Sequence, residues 1–432
     1  MEGTITQLSL SNYLLNDKIP KISYFKHSYF NYSNFAFDTR KIPLQATAKF
    51  GNTTSWRLDQ NNYGDLITNI ILEINLPDIS SILTNTGSSI GYANGIGNIL
   101  IQNIDLRINN ELIDSQNSIF RDIWSSLTIP PGNQINYKNM IKKFDSFNSS
   151  SFTGGKIYVP LLHWFCQYTN QKDRSLVFPI AAFYNQTIEM FITFAPFLNC
   201  IVSNDNSIPS SYSVNIENAQ LLVDFVTLEE KERLQLQQPS LLNSFMILQT
   251  NYLNFSFSAG TTNSTISLKQ IKYLVSEILI VAQRNDVGSP PLNDYFNYST
   301  QTGLTNRKTP IKKLTLKFDG KDKFTDIPSQ YFYSVVPLKS HSNVPINNFI
   351  HCISFSLLPE KLEQPSGLCN FSEIQDPLLL LEFESGLPAF NIYIYYINYN
   401  MLENKDGCAS LLHSMSKSVP TSIDRIKNII RS

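Results

Sequence analysis

The string Gly87-Ser88-Ser89-Ile90-Gly91 has the G-x-S-x-G spacing that can hold a serine hydroxyl above a sheet as a nucleophile. Such an elbow needs a buried strand before the serine and a helix after it. Here the polar run from Ser80 to Thr86 precedes it and the glycine-rich run from Tyr92 to Gly97 follows, so the string reads as a loop. Gly95-Ile96-Gly97 lacks the third glycine and the helix of a dinucleotide fingerprint, and no P-loop lysine follows any glycine cluster. The five histidines, His27, His163, His341, His351 and His413, form no H-x-H or H-x-x-x-H pair. No local metal-ligand set is therefore written in the chain, although convergence in three dimensions stays open. The five cysteines, Cys166, Cys200, Cys352, Cys369 and Cys408, contain no C-x-x-C and are odd in number. They read as buried thiols of a reducing compartment, not as a disulfide scaffold or a zinc site. The densest charge run, Glu229-Glu230-Lys231-Glu232-Arg233, fits a solvated helix face better than acid–base catalysis. By spacing alone the chain offers no catalytic, cofactor-binding or metal residues, and no cofactor is expected.

The elements around these residues are mostly strands. Leu66, Ile70, Leu72, Ile74 and Leu76 alternate up to Pro77, the pattern of a strand with one buried face. Leu100, Ile104, Leu106 and Ile108 make a second strand, and Asn109-Asn110 turns it into Glu111-Leu112-Ile113-Asp114. Ile119, Ile123, Trp124 and Leu127 permit one short helix within 115–127. Pro130-Pro131-Gly132 opens an Asn- and Ser-rich stretch to Gly155 that reads as an exposed loop. Leu221 to Phe225 is a strand, and Thr227 with Glu230 forms a capping box for a short helix stopped by Pro239. In the second half, strands are expected at Tyr273–Ala282, Leu314–Phe318, Tyr331–Val336, His351–Leu357, Leu378–Phe383 and Phe390–Tyr399. Many short strands punctuated by Pro, Gly, Asn and Asp indicate an all-β sandwich or jelly roll.

With 432 residues the chain is long enough for two or three domains. Charged residues are 16%, below the roughly 25% of an average soluble protein, while aromatics reach 12%, which suits surfaces that neighbours cover. A net charge of −1 exerts no long-range pull on nucleic acid, so direct nucleic-acid binding is not expected. The first residues lack the basic and apolar regions of a signal peptide, and no uncharged apolar run approaches a membrane span. Residues 1–24 read as an arm. In the last segment, Lys417, Arg425, Lys427 and Arg431 make a basic tail in which Ile423, Ile426, Ile429 and Ile430 share a helical face.

The stretch Leu357–Ser372 carries Pro359-Glu360, Gln364-Pro365-Ser366-Gly367 and Asn370-Phe371-Ser372. These resemble the Pro-Glu, Gln-Pro-Ser-Gly and Asn-Phe-Ser signature of double jelly-roll major capsid proteins of nucleocytoplasmic large DNA viruses, of the phycodnavirus and iridovirus kind. By themselves Pro365, Ser366 and Gly367 force a turn, and Asn370 and Ser372 can hydrogen-bond to backbone, which is corner chemistry. Gly64-Asp65-Leu66-Ile67, His163-Trp164-Phe165-Cys166, Phe178-Pro179-Ile180-Ala181-Ala182 and Phe318-Asp319-Gly320 follow the same family in order, over roughly residues 7–410. The family's basic Tyr-Arg-Arg-His motif is not kept: Tyr29 to Ala36 retains Asn34-Phe35-Ala36 but no arginine or histidine.

The resemblance implies two consecutive antiparallel eight-stranded jelly rolls, at 25–226 and 241–405, joined by a helix-bearing linker at 227–240 and followed by the tail at 406–432. It implies a non-enzymatic structural protein: a homotrimeric, pseudo-hexagonal capsomer of an icosahedral virion capsid, assembled in the host cytoplasm. Its partners would be neighbouring capsomers, minor capsid or cement proteins, and an inner viral membrane reached by the tail. Loops at 128–155 and 285–310 are expected on the outward surface. Some relatives are glycosylated by viral enzymes, which makes Asn148, Asn263 and Asn297 candidate acceptors in loops that look exposed. A transient double jelly-roll scaffold, a minor capsid paralogue and a carbohydrate-binding β-sandwich stay open as alternatives. The last is weakened by having three Trp only, of which Trp124 and Trp164 lie in apolar runs expected to be buried.

Overall fold

A computed structural model describes residues 34–58, 64–82, 88–145, 151–166, 176–204, 215–238, 244–287, 293–301, 307–345, 348–361 and 365–412. The arm at 1–24, the tail from 413, Asn148 and Gln364 lie outside the described residues. Strand periodicity dominates, as expected of a chain with this density of alternating Ile, Leu and Val. Along the first half run β1 (Phe35–Pro43), β2 (Thr53–Leu58), β3 (Leu66–Leu76), β4 (Ile90–Tyr92), helix α1 (Ile96–Leu100), β5 (Ile101–Ile108), β6 (Glu111–Asn117), α2 (Ser118–Thr128), α3 (Pro131–Ile141), β7 (Gly155–Pro160), β8 (Phe178–Pro179), β9 (Ile188–Phe194), β10 (Ile201–Ser203) and β11 (Asn218–Leu228). Helix α4 (Glu230–Gln237) follows. The second half holds β12 (Ser244–Phe257), β13 (Asn263–Ser267), β14 (Leu274–Arg284), β15 (Ile311–Phe318), β16 (Lys321–Pro328), α5 (Val336–Ser340), β17 (His351–Ser354), β18 (Cys369–Asn370), β19 (Pro377–Phe383), β20 (Phe390–Lys405) and β21 (Cys408–Leu411).

The sheets state the architecture. Before α4, β1-β11-β3-β7 form one sheet and β2-β9-β5-β6 another; after it, β12-β20-β14-β17 and β13-β19-β15-β16 repeat the arrangement. When the eight principal strands of each half are numbered in chain order, both halves read first-eighth-third-sixth and second-seventh-fourth-fifth. That order is a jelly roll written twice, and its pairings are antiparallel. No sheet among the described residues mixes strands from the two halves.

Several local expectations are corrected. The stretch after Pro130 is not a loop throughout: Pro131 supplies the fixed φ suited to a first helical turn, and α3 buries Tyr137 and Ile141. The charged helix is real, but Glu229 is its N-cap and Thr227 stays in β11, because Asp65 Oδ2 accepts a 2.7 Å hydrogen bond from Leu228 N and holds that backbone extended. Tyr331–Val336 is helical, not a strand. Its aromatic content serves to bury Phe332 between the rings of Phe324 and Tyr331 instead of pairing with a sheet. Asp406 and Gly407, both at positive φ, turn β20 into β21, so the second barrel extends past residue 405. Of the five cysteines, Cys166, Cys200 and Cys352 are buried, Cys369 is half-buried and Cys408 is exposed.

Candidate functional site

The two barrels meet along a seam, and the strands explain why. In β14, Ile278, Ile280 and Ala282 face the interior of the second barrel, while Leu279 and Val281 belong to the apolar core of the first. In β20, Ile392, Ile394 and Tyr396 point inward, and Tyr395, Ile397 and Tyr399 point to the first barrel. A sheet buried on both faces loses the polar alternation of a solvated one, and the unbroken apolar runs Ile278–Ala282 and Ile394–Ile397 carry that signal in the sequence. The core of the first barrel thus continues without interruption onto the second. Truncating Leu279 to Ala would cost about 2–5 kcal/mol.

Polar groups fix the register of this joint. Asn117 caps α2 through Phe120 N at 2.8 Å, and the same Oδ1 accepts a 2.8 Å hydrogen bond from the Tyr395 hydroxyl. Gln249 Nε2 on β12 donates to Ile113 O at 2.8 Å, and Thr250 N donates to Asp114 Oδ1 at 3.1 Å. The other Asp114 oxygen is bonded to His163 Nδ1 at 2.6 Å and accepts from Gln116 Nε2 at 3.1 Å. His163 lies flat against Phe165. Its Nε2 and Gln116 Oε1 are buried without a protein partner. Gln116 and His163 border a cavity of about 50 Å³ between the barrels, lined also by Asp114, Phe120, Trp124 and Glu360. That is room for water to satisfy both atoms. At the C-terminal end of α2, Asn343 donates from N to Leu127 O at 2.9 Å and from Nδ2 to Ser126 O at 2.7 Å.

The loop expected on the outward surface at 285–310 instead packs, in part, into the seam. Asn293 donates to Leu198 O and Ile201 O, and the Tyr298 hydroxyl reaches Asp122 Oδ2. Phe296 closes over Gly95, leaving 3.3 Å to where a Cβ would stand, and lies under the Lys143 ammonium. The glycine pair at 95–97 does open a helix, the single buried turn α1, but Gly97 is there because Ile141 of α3 packs against its backbone, not to admit a phosphate. Asn297 is fully buried: its Nδ2 donates to Asp294 Oδ2 and Gln301 O, and its Oδ1 accepts from Ser299 N. A glycan cannot be attached to it in the folded chain, which corrects the exposed-loop expectation; Asn263, at the start of β13, is exposed. Arg121 and Asp122 of α2 are also wholly buried. Burial lowers the Arg121 guanidinium to about 10 while it donates to Asn98 O and Ile101 O; burial raises Asp122, against the opposing pull of Lys143. Arg121 joins two backbone carbonyls, and Asp122 joins the side chains of Lys143 and Tyr298.

Comparison with known proteins bears on what this slab of two barrels is. The family model for the major capsid protein N-terminus matches residues 23–229, and that for the large eukaryotic DNA virus major capsid protein matches residues 158–410. The chain belongs to the major capsid proteins of large eukaryotic DNA viruses. It is 23% identical over 423 residues to the major capsid protein of Pyramimonas orientalis virus, covering 91% of this chain and 94% of that one. It is 25% identical over 446 residues to that of Paramecium bursaria Chlorella virus 1, covering 91% and 95%. Among solved structures, the PBCV-1 virus capsid quasi-atomic model superposes with a TM-score of 0.72 at 22% identity, over 90% of this chain and all of that one. The Faustovirus major capsid protein gives 0.72 at 11% identity, over 89% and 93%. The fold is the double jelly roll of viral capsids.

In this capsid protein the signature stretch builds a corner of the second barrel. Gly367 has φ 151°, and a Cβ there would collide with Phe355 O. Ser366 Oγ accepts from Leu358 N at 2.8 Å and pairs with Ser356 Oγ at 2.6 Å. Asn370 Oδ1 accepts from Ser372 N at 3.1 Å, and Ser372 Oγ accepts from Tyr273 N, 99 residues away, at 2.9 Å. Phe371 is buried against Phe318 and Phe355, whereas Leu357 and Leu358, ahead of Pro359, are exposed. The seam residues Asp114, Gln249, Asn343 and Tyr395 escaped the sequence reading, since a hydrogen bond across 136 or more positions leaves no local spacing.

Proposed function

We propose that three copies of this capsid protein close into a pseudo-hexagonal capsomer whose six barrels tile an icosahedral shell, and that the chain's task is shape, without turnover. The observation that carries this reading is the duplicated strand order locked by one continuous apolar seam. Two like barrels held rigidly side by side present a near-repeated outline, so threefold closure yields six similar sides while limiting open-ended growth. The jelly-roll edges restrict strand addition between copies, which leaves loops and side faces as contacts. Exposed Leu338, Leu357 and Leu358 are apolar surface that neighbouring copies or minor capsid proteins would cover. Assembly in the host cytoplasm, and contact of the basic tail with an inner membrane, complete the proposal.

Light scattering of the purified protein should give about three times 49.2 kDa, and imaging should show a six-lobed particle. A monomer or dimer at assembly concentrations would overturn the capsomer. Abundance in purified mature particles separates a shell protein from a transient scaffold or minor paralogue.

A further inference from the structure

We propose that Glu277, His341 and Cys352 form a zinc site that ties the end of α5 to the seam-facing side of the second barrel. The proposal does not depend on the capsomer reading. One oxygen, one nitrogen and one sulfur donor from these residues lie within 4.8 Å of one another. All three side chains are buried. Their convergence is a product of the sheet. Cys352 on β17 pairs with Leu279 on β14, so it shares a face with Glu277, two residues away. His341, the residue that ends α5, comes in over that face and meets the Trp124 ring of the first barrel edge-on.

The mixed N, O and S set suits zinc and is poor for magnesium or calcium, which take oxygen. In a tetrahedral zinc site such donors stand about 3.4–3.6 Å apart, so within this cluster, no wider than 4.8 Å, the 2.7 Å His341–Glu277 pair has to open by somewhat under about 1 Å to admit the ion. The shell behind the ligands is already present. Glu360 Oε1 accepts from His341 Nδ1 at 3.0 Å, and Glu360 is held in turn by Ser342 N at 2.7 Å and by the Ser342 hydroxyl. That arrangement orients Nε2 as a ligand, as in carboxylate–histidine–zinc groups. Independently, Glu277 Oε2 is buried with no hydrogen-bond partner, an unmet acceptor that a cation would satisfy.

Proton and charge balance agree. In the metal-free site His341 Nε2 shares a proton with Glu277 Oε1 at 2.7 Å. Zn²⁺ displaces that proton and the Cys352 thiol proton, so two protons leave as one dication enters. Two carboxylates with an imidazolium and two carboxylates with a thiolate, a neutral imidazole and Zn²⁺ have the same net charge. Without metal, burial opposes charge on His341, but Glu277 and its hydrogen bonds hold it well above its ordinary range; burial pushes the Cys352 thiol up to about 11. A metal supplies the charge that makes the thiolate favourable.

The test uses the full-length chain, reduced, stripped with a chelator and titrated with Zn²⁺ alone at neutral pH. One ion per chain should bind, and Co²⁺ in its place should show a thiolate-to-metal charge-transfer band that Cys352→Ser abolishes. Glu360→Gln, which keeps the shape behind the imidazole, should weaken zinc about 10–100-fold. Substoichiometric uptake at saturating zinc, a cobalt form without the band, or unchanged affinity in Cys352→Ser would overturn the site. If Cys352→Ser does not fold, the wild-type cobalt spectrum and the Glu360→Gln affinity decide.

Discussion

His163 and His341 are both buried against carboxylates at the seam, one in each barrel, yet they are spent differently. At His163 a single carboxylate, Asp114, divides its oxygens between the imidazole and the backbone of β12. The group acts as a stitch: its value lies in placing Thr250 N, and the far nitrogen faces the small cavity. At His341 two glutamates grip both nitrogens and a thiol stands beside them, which concentrates charge and donors in one spot. Duplicated topology therefore does not duplicate chemistry. The strand order is set by sheet pairing, while the polar groups at the joint depend on which loops happen to reach it.

The sharpest way to break this contrast is to remove each carboxylate. Asp114→Ala strands the His163 imidazole together with Thr250 N, and Glu277→Ala leaves His341 with Glu360 alone; each should cost about 3–5 kcal/mol in urea unfolding of the metal-free protein. A negligible loss at Asp114 would show that the stitch does not hold the seam. His341→Gln removes the charge between two buried carboxylates and should cost a similar amount, about 3–5 kcal/mol, whereas His163→Gln, which surrenders one hydrogen bond to Asp114, should lose about 1–2 kcal/mol. The reverse order in denaturation midpoints would invert the comparison. Tyr395→Phe removes one hydrogen bond across the seam and should cost about 1 kcal/mol, with no change in spectra of the barrel interiors.

The smallest effect is a control away from both histidines. Burial alone would raise the Glu73 carboxyl, but the hydrogen bond from Gln220 and the Lys156 ammonium outweigh it and hold it below its ordinary range. Its contribution is present above the unfolded value and lost as the pH falls through the folded one. Lys156 is half exposed, so the amount should stay under about 1 kcal/mol. Glu73→Gln should flatten the acid limb of a stability profile by that little; an effect as large as that of Asp114→Ala would mean that charge at a barrel surface matters as much as charge at the seam.

Much of the fold was legible. The alternation at Leu66–Leu76 and Leu100–Ile108 became β3 and β5, and Asn109-Asn110 became a turn with both residues at positive φ. The apolar set at Ile119, Ile123 and Leu127 became the buried face of α2. Where reading failed, a tertiary contact overrode a local preference: Phe332 drew an aromatic run into a helix, and Asp65 kept Thr227 in a strand. Asn297 failed for a related reason, because polarity marks a loop without saying whether a side chain turns inward to bond that loop itself.

The amino-acid order determined, unaided, that the chain is a set of short strands with two-residue periodicity, and its ordered motifs pointed to a double barrel, because side-chain alternation and turn chemistry act over a few neighbouring residues. Only the folded molecule decided that the outer apolar face of β14 and β20 meets the first barrel, that Asp114 serves β12, and that Glu277, His341 and Cys352 stand together. Those facts depend on which sheet faces which, and residues scores of positions apart become neighbours only once the seam has closed.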